Sequence, residues 1–168
     1  MKKLTPVIIT ALVVVVVAFL VIDRAKQLRH VAVLKGNDSR TPVEFVGDHF
    51  QGAQCGMVLS QVEDSAQAVA PDGKTWFFDD VGCLALWLED NKHRDEMVLW
   101  VYTRDTREWL DGRLAWYSRT DQTPMNYGFA AFQDQTDDRI AFPDMYAKML
   151  RDENLNNPST RKELLGNH

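Results

Sequence analysis

Residues 54–60 read QCGMVLS and set a thiol, Cys55, and a thioether, Met57, on either side of one glycine. Both residue types pack well in cores. A thiolate with a thioether also suits a soft ion such as Cu(I), which accepts few ligands. If the stretch is extended, the two sulfurs point to one face, and Gly56 leaves the backbone free to bend around an ion. A third soft donor stands in TDQTPMNYGF. There Met125 follows Pro124 in a loop between two predicted strands, where strand or helix periodicity does not account for it. Met97 heads a strand, and Met145 and Met149 are four apart on a predicted helix, so these three read as core.

Other cysteine chemistries lack their partners. A nucleophilic Cys55 needs a histidine and a group to orient it, yet His49 and His93 stand in no recognisable nucleophile context. A thioredoxin-like site needs a C-x-x-C, and structural zinc normally takes four Cys or His in paired spacing; neither pattern occurs. Cys83 lies inside a predicted helix, where a cysteine commonly acts as a small buried hydrophobe. It also allows a single disulfide with Cys55 in an oxidising compartment. His49, six residues before Cys55, reads as a surface residue or as an auxiliary ligand.

The elements that must position these side chains follow in a legible order. AQAVA (66–70) and KTWFF (74–78) flank a PDG turn and predict a hairpin. DDVGCLALWLEDN (79–91) predicts a helix capped by an Asp, with Gly82 a weak point that hints at close packing. MVLWVYT (97–103) is the strongest strand signal in the chain. RLAWYSR (113–119) and YGFAAFQ (127–133) predict two more strands, followed by a helix from about Thr136 that carries Ile140, Met145, Met149 and Leu150 and is interrupted by Pro143. The first elements form a ββαβ unit and the later ones a looser ββα order, with no residue-level repeat between them, so the pattern is an α+β domain with helices packed against an antiparallel sheet.

Residues 4–22, LTPVIITALVVVVVAFLVI, carry no charge and are long enough to cross a bilayer as a helix. No small-x-small cleavage signal follows, so 1–22 predicts an N-terminal transmembrane signal anchor in preference to a cleaved leader. Residues 23–48, polar and rich in turn formers, predict a tether, although HVAVL (30–34) suits a short strand. The domain is then expected over 49–152 and a polar, frayed tail over 153–168. The net charge is −5, and about −7 once Lys2 and Lys3 are set aside, which disfavours nucleic-acid binding.

Four blocks together carry a resemblance: CGM (55–57), GKTWFFDDVGCLALWL (73–88), WVYTRDTREWLDGRLAWYS (100–118) and TPMNYGFAAF (123–132). In order and spacing they resemble the NosL family of copper-binding accessory proteins for nitrous oxide reductase. The resemblance implies a Cu(I) chaperone of the cell envelope, not an enzyme, acting with a copper-receiving reductase and membrane assembly factors. It implies an α+β fold of two related ββαβ-type units with antiparallel sheets and packed helices, and ligands at Cys55, Met57 and Met125. With the apolar N-terminus, it implies a single-pass inner-membrane protein whose domain faces the periplasm. Two features depart from the family: an apolar helix stands where many members have a lipid-bearing cysteine, and Asn126 and Tyr127 separate Met125 from Gly128. The alternatives are a thiol-dependent enzyme of organomercurial-lyase-like fold, which needs cysteines and an acid gathered at one site, or a disulfide-stapled interaction module.

Overall fold

A computed structural model describes residues 11–21 and 30–166 of the 168-residue chain. Residues 11–21 are helical (α1) and form part of a unit that ends at His30; a second unit begins at Val31. The expected membrane span of 4–22 extends beyond the described residues at both ends, as does the start of the expected tether. Among the described residues no helix is long and apolar enough to cross a membrane.

The second unit is α+β. Its first sheet is antiparallel in the order β1-β3-β2-β4-β5, comprising Val33–Leu34 (β1), Ala66–Val69 (β2), Thr75–Phe78 (β3), Val98–Tyr102 (β4) and Trp109–Asp111 (β5). The PDG turn forms as expected, with Gly73 at a φ of +74°, where a side chain would be strained. Strand alternation then sorts the side chains. Trp76 and Phe78 of β3, with Leu99 and Val101 of β4, join the main core, whereas Phe77 joins Phe50 and Leu59 in a second cluster.

That second cluster corrects the expected tether. Residues 31–48 belong to the compact unit. Val31, Leu34, Val43 and Phe45 pack against Phe50, Leu59 and Phe77. The buried amide of Gln67 exchanges two 2.8 Å hydrogen bonds with the backbone of Val43, and Trp100 donates its indole N–H to Arg40 O at 3.0 Å. A sheet buried on only one face would leave Gln67 wet. Here the N-terminal segment covers it, and the amide is satisfied rather than stranded.

The helix Val81–Glu89 (α2) lies on the other face, so that β2, β3, α2 and β4 follow one another as a ββαβ unit. The second sheet, β7-β6-β8, comprises Trp116–Tyr117 (β6), Ala131–Phe132 (β7) and Ile140–Ala141 (β8), followed by Phe142–Leu150 (α3). This differs from a second ββαβ unit: a third strand precedes the helix, and among the described residues a helix rather than a strand follows it. The expected start of α3 near Thr136 moves to Phe142, because Pro143 occupies the first helical turn, where its missing N–H costs nothing, and does not interrupt a longer helix. Ile140 becomes a strand residue. The expected frayed tail instead holds Pro158–Leu165 (α4), capped by Asn157 accepting from Ser159 N, and Leu155 is buried.

Candidate metal centre

Three segments meet at the N-terminus of α2. The first is the turn that carries Cys55. Gly52 N donates to Met57 O at 2.7 Å and Gly56 N to Gly52 O at 2.9 Å, closing a tight loop whose Gly56 adopts a φ of +72°. Ala53 N donates to Phe77 O at 2.8 Å, which pins this loop to the end of β3. The second segment is the β3–α2 junction, with Asp79, the capping residue Asp80 and, in the first turn of the helix, Cys83. The third is the loop 123–128, with Asn126 and Gly128 both at positive φ.

Closure of the first loop brings the thiol of Cys55 to the junction. Cys55 Sγ donates to Asp79 Oδ1 at 3.2 Å and accepts from Met57 N at 3.4 Å. Cys83 is buried at 1 % exposure, and the ligand atoms of Cys55, Asp79 and Cys83 all lie within 4.8 Å of one another. Both cysteines are free. Gly52 makes this approach possible, since a Cβ there would stand 2.7 Å from Cys55 Sγ. Asp79 is only 7 % exposed, and its Oδ2 has no hydrogen-bond partner in the protein.

Burial pushes the Cys55 thiol up, and the hydrogen bond to Asp79 and its charge add to this, against the opposing backbone N–H groups of Met57 and of Cys55 itself. Burial pushes Cys83 up further, reinforced by the charges of Asp79 and Asp80. Both groups are thiols at neutral pH, so an ion that takes them as ligands must displace their protons.

Asp80 fastens the third segment. Its Oδ1 accepts from Gly82 N at 2.8 Å and so caps α2, while its Oδ2 accepts from Thr123 Oγ1 at 2.6 Å and from Met125 N at 3.0 Å. Asp80 has no exposed surface, and burial drives its carboxyl up to about 6 despite three donors. Asn156 Nδ2 holds Met125 O at 3.0 Å from the other side, and Tyr127 lies on Gly82, where a Cβ would stand 2.4 Å from the ring.

The sequence-expected ligands are thus disposed unequally. Met125 is half-buried, packed against the main core as Cys55 is, and its backbone is held by Asp80. Met57 is exposed at 44 %. Because Gly56 is left-handed, Cys55 and Met57 do not form the extended pair expected, and what Met57 brings to the Cys55 sulfur is its backbone N–H. His49 is exposed, edge-on against Phe50 with ring centroids 4.9 Å apart. Sequence reasoning missed Asp79 as a partner of Cys55 and Asp80 as the latch of the Met125 loop. The available signal was a pair of carboxylates at a helix start, three and four residues before a cysteine. Comparison with family models, curated proteins and solved structures yields no match to this chain.

Proposed function

We propose that this chain is a Cu(I) carrier of the cell envelope, with Cys55 as the thiolate and Met57 and Met125 as thioether donors, delivering copper for maturation of nitrous oxide reductase. The observation that carries the reading is the position of Cys55. Its thiol lies where a surface turn, a capped helix start and the latched Met125 loop converge, with Met57 exposed beside it. A half-buried thiol flanked by an exposed thioether suits an ion that must be taken up and passed on, since a closed cage would retain it. Thioethers add affinity for a soft ion without adding charge. The four sequence blocks support the assignment to the reductase, and the apolar N-terminus supports tethering as a single-pass inner-membrane protein, which raises the local concentration for handover to membrane partners.

The test is anaerobic titration of the full-length chain with Cu(I) against a chromophoric chelator. One ion is expected per chain, with Cys55→Ser losing more than about a hundredfold in affinity and Met57→Leu and Met125→Leu about tenfold each, a tenfold change being about 1.4 kcal/mol. Equal affinity in all three variants eliminates the reading.

One observation favours a second reading, a thiol-dependent enzyme of organomercurial-lyase-like fold: two thiols and a carboxylate are gathered at one site. In that chemistry the thiols take the metal and the acid supplies the proton that replaces it on carbon. Release of hydrocarbon from an alkylmercury compound, at a rate proportional to protein and abolished by Asp79→Asn, would establish it over the carrier.

A further inference from the structure

We propose that Cys55, Cys83 and Asp79 form an inner position for a divalent thiophilic cation of the zinc class. It rests on the geometry of these three side chains alone, and it shares Cys55 with the Cu(I) reading, so that the two ions exclude each other.

Distance is the first argument. With metal–sulfur bonds of about 2.3 Å and metal–oxygen bonds of about 2.1 Å, tetrahedral geometry sets two sulfurs about 3.8 Å apart and a sulfur and an oxygen about 3.6 Å apart. Here the three ligand atoms already lie within 4.8 Å, and Cys55 Sγ to Asp79 Oδ1 is 3.2 Å. Adjustments of a few tenths of an ångström to about an ångström, within the reach of side-chain rotation, complete the site.

Ligand chemistry is the second. Two thiolates and a carboxylate are three anionic donors, one of them a hard oxygen that Cu(I) does not favour. A dication leaves one net negative charge in this poorly solvated place, whereas a monocation leaves two, and uncompensated buried charge is costly. Binding releases two thiol protons to solvent with no change of oxidation state.

The third argument is the unpartnered carboxylate oxygen. Asp79 is more than nine-tenths buried, its Oδ1 is turned onto Cys55, and its Oδ2 has no partner in the protein. Buried polar atoms are almost always satisfied, and a cation beside this carboxylate supplies what the fold does not. Because Cys55 is half-buried, the fourth position of such an ion faces outward, as in zinc sites that keep one open coordination place. An ion lodged here occupies the thiolate that a Cu(I) ion would need.

The experiment titrates the reduced full-length chain with Cd(II) alone, followed by thiolate-to-cadmium charge-transfer absorption. One ion per chain with the intensity of two thiolates is expected. Cys55→Ser and Cys83→Ala each halve the intensity and weaken binding at least tenfold. Asp79→Asn keeps the intensity and weakens binding about tenfold, and Met57→Leu and Met125→Leu change neither. A single-thiolate band in the wild type overturns the site, and that reading does not depend on whether the Cys83 variant folds. Full Cd(II) affinity in Asp79→Asn removes the carboxylate from it. Preloaded Cd(II) is expected to block Cu(I) uptake, and simultaneous binding of both ions refutes the sharing of Cys55. Absence of Cu(I) binding beside an intact two-thiolate cadmium band overturns the Cu(I) reading and leaves the inner position standing.

Discussion

Asp80→Asn separates the two tasks of the carboxylate that joins α2 to the Met125 loop. The wild-type side chain accepts three hydrogen bonds, from Gly82 N, Thr123 Oγ1 and Met125 N. Asparagine has one acceptor oxygen. Kept on the cap, it turns its NH₂ toward Thr123, whose hydroxyl can rotate to accept, and toward Met125 N–H, which then faces another donor at 3.0 Å. A hydrogen bond to a charged acceptor is worth about 1.5–3 kcal/mol. Relief of the buried charge, which already drives the carboxyl up to about 6, offsets part of that. The net loss is expected to be about 1–2 kcal/mol, or about 4–8 °C in Tm for a domain of this size. Asp80→Ala also removes the cap and should lose about 1 kcal/mol more. Thermal unfolding followed by circular dichroism measures both. In the Cu(I) titration, Asp80→Asn should approach the weakened affinity of Met125→Leu, and the double variant should lose little beyond either, because both act through the same loop. Wild-type stability in Asp80→Asn, or full additivity with Met125→Leu, would refute the latch.

Gly82→Ala tests whether packing outweighs propensity: alanine gains up to about 1 kcal/mol in a helix, but its Cβ would lie 2.4 Å from the Tyr127 ring. Overpacking of this kind costs about 1–3 kcal/mol, so a net loss is expected in denaturant unfolding, and a stabilised variant would contradict the contact. Gly52→Ala places a Cβ 2.7 Å from Cys55 Sγ, so metal affinity should fall about tenfold or more while stability changes little; unchanged affinity would show that the thiol need not occupy this position. Arg104 forms a bidentate pair with Asp64 at 2.8 and 2.7 Å and donates to Gln122 O, while the Asp64 side chain is only 4 % exposed. Arg104→Ala leaves that carboxylate buried without its counter-ion and should cost about 3–5 kcal/mol, with Arg104→Lys intermediate; calorimetry showing less than about 1 kcal/mol would demote the pair to a surface bridge. Burial pushes the Asp105 carboxyl up, but the N–H groups of Asp134, Gln133 and Thr106 more than reverse this and hold it below the usual carboxylate range. Its stabilisation is therefore complete above the unfolded value of about 4 and is lost as pH falls through the lower folded value. Asp105→Asn should flatten the acid limb of the stability–pH curve below about pH 4, and parallel limbs would exclude this assignment.

Local chemistry made much of the first sheet legible. The PDG turn sets a hairpin because Gly73 meets the positive φ that the turn requires, the capped start of α2 follows from an Asp whose carboxylate accepts from an amide of the first helical turn, and β4 follows from a dense run of β-branched and aromatic residues. Beyond the short-strand signal of HVAVL, which forms β1, residues 35–48 show no periodicity, and only assembly of the sheet reveals that the 31–48 segment covers its second face, where Gln67 needs partners. Ile140 passed for a helix residue because a short strand joined directly to a helix blurs both periods. Composition made the last residues look frayed, although Asn157 followed by Pro158 carries a cap and a first-turn proline.

The sulfur chemistry divides in the same way. The residue types and the C-x-M spacing were enough to nominate Cys55, Met57 and Met125 as soft donors and to read Cys83 as buried, because thiol and thioether softness and helical periodicity are local properties. That Cys55 meets Asp79 and Cys83, and that Asp80 holds the Met125 loop, depends on a surface turn pinned to Phe77 and on two glycines that let a sulfur and a ring approach a helix start. Those contacts join segments far apart in the chain, and spacing along a sequence has no term for loop closure in space; only the tertiary structure decided them.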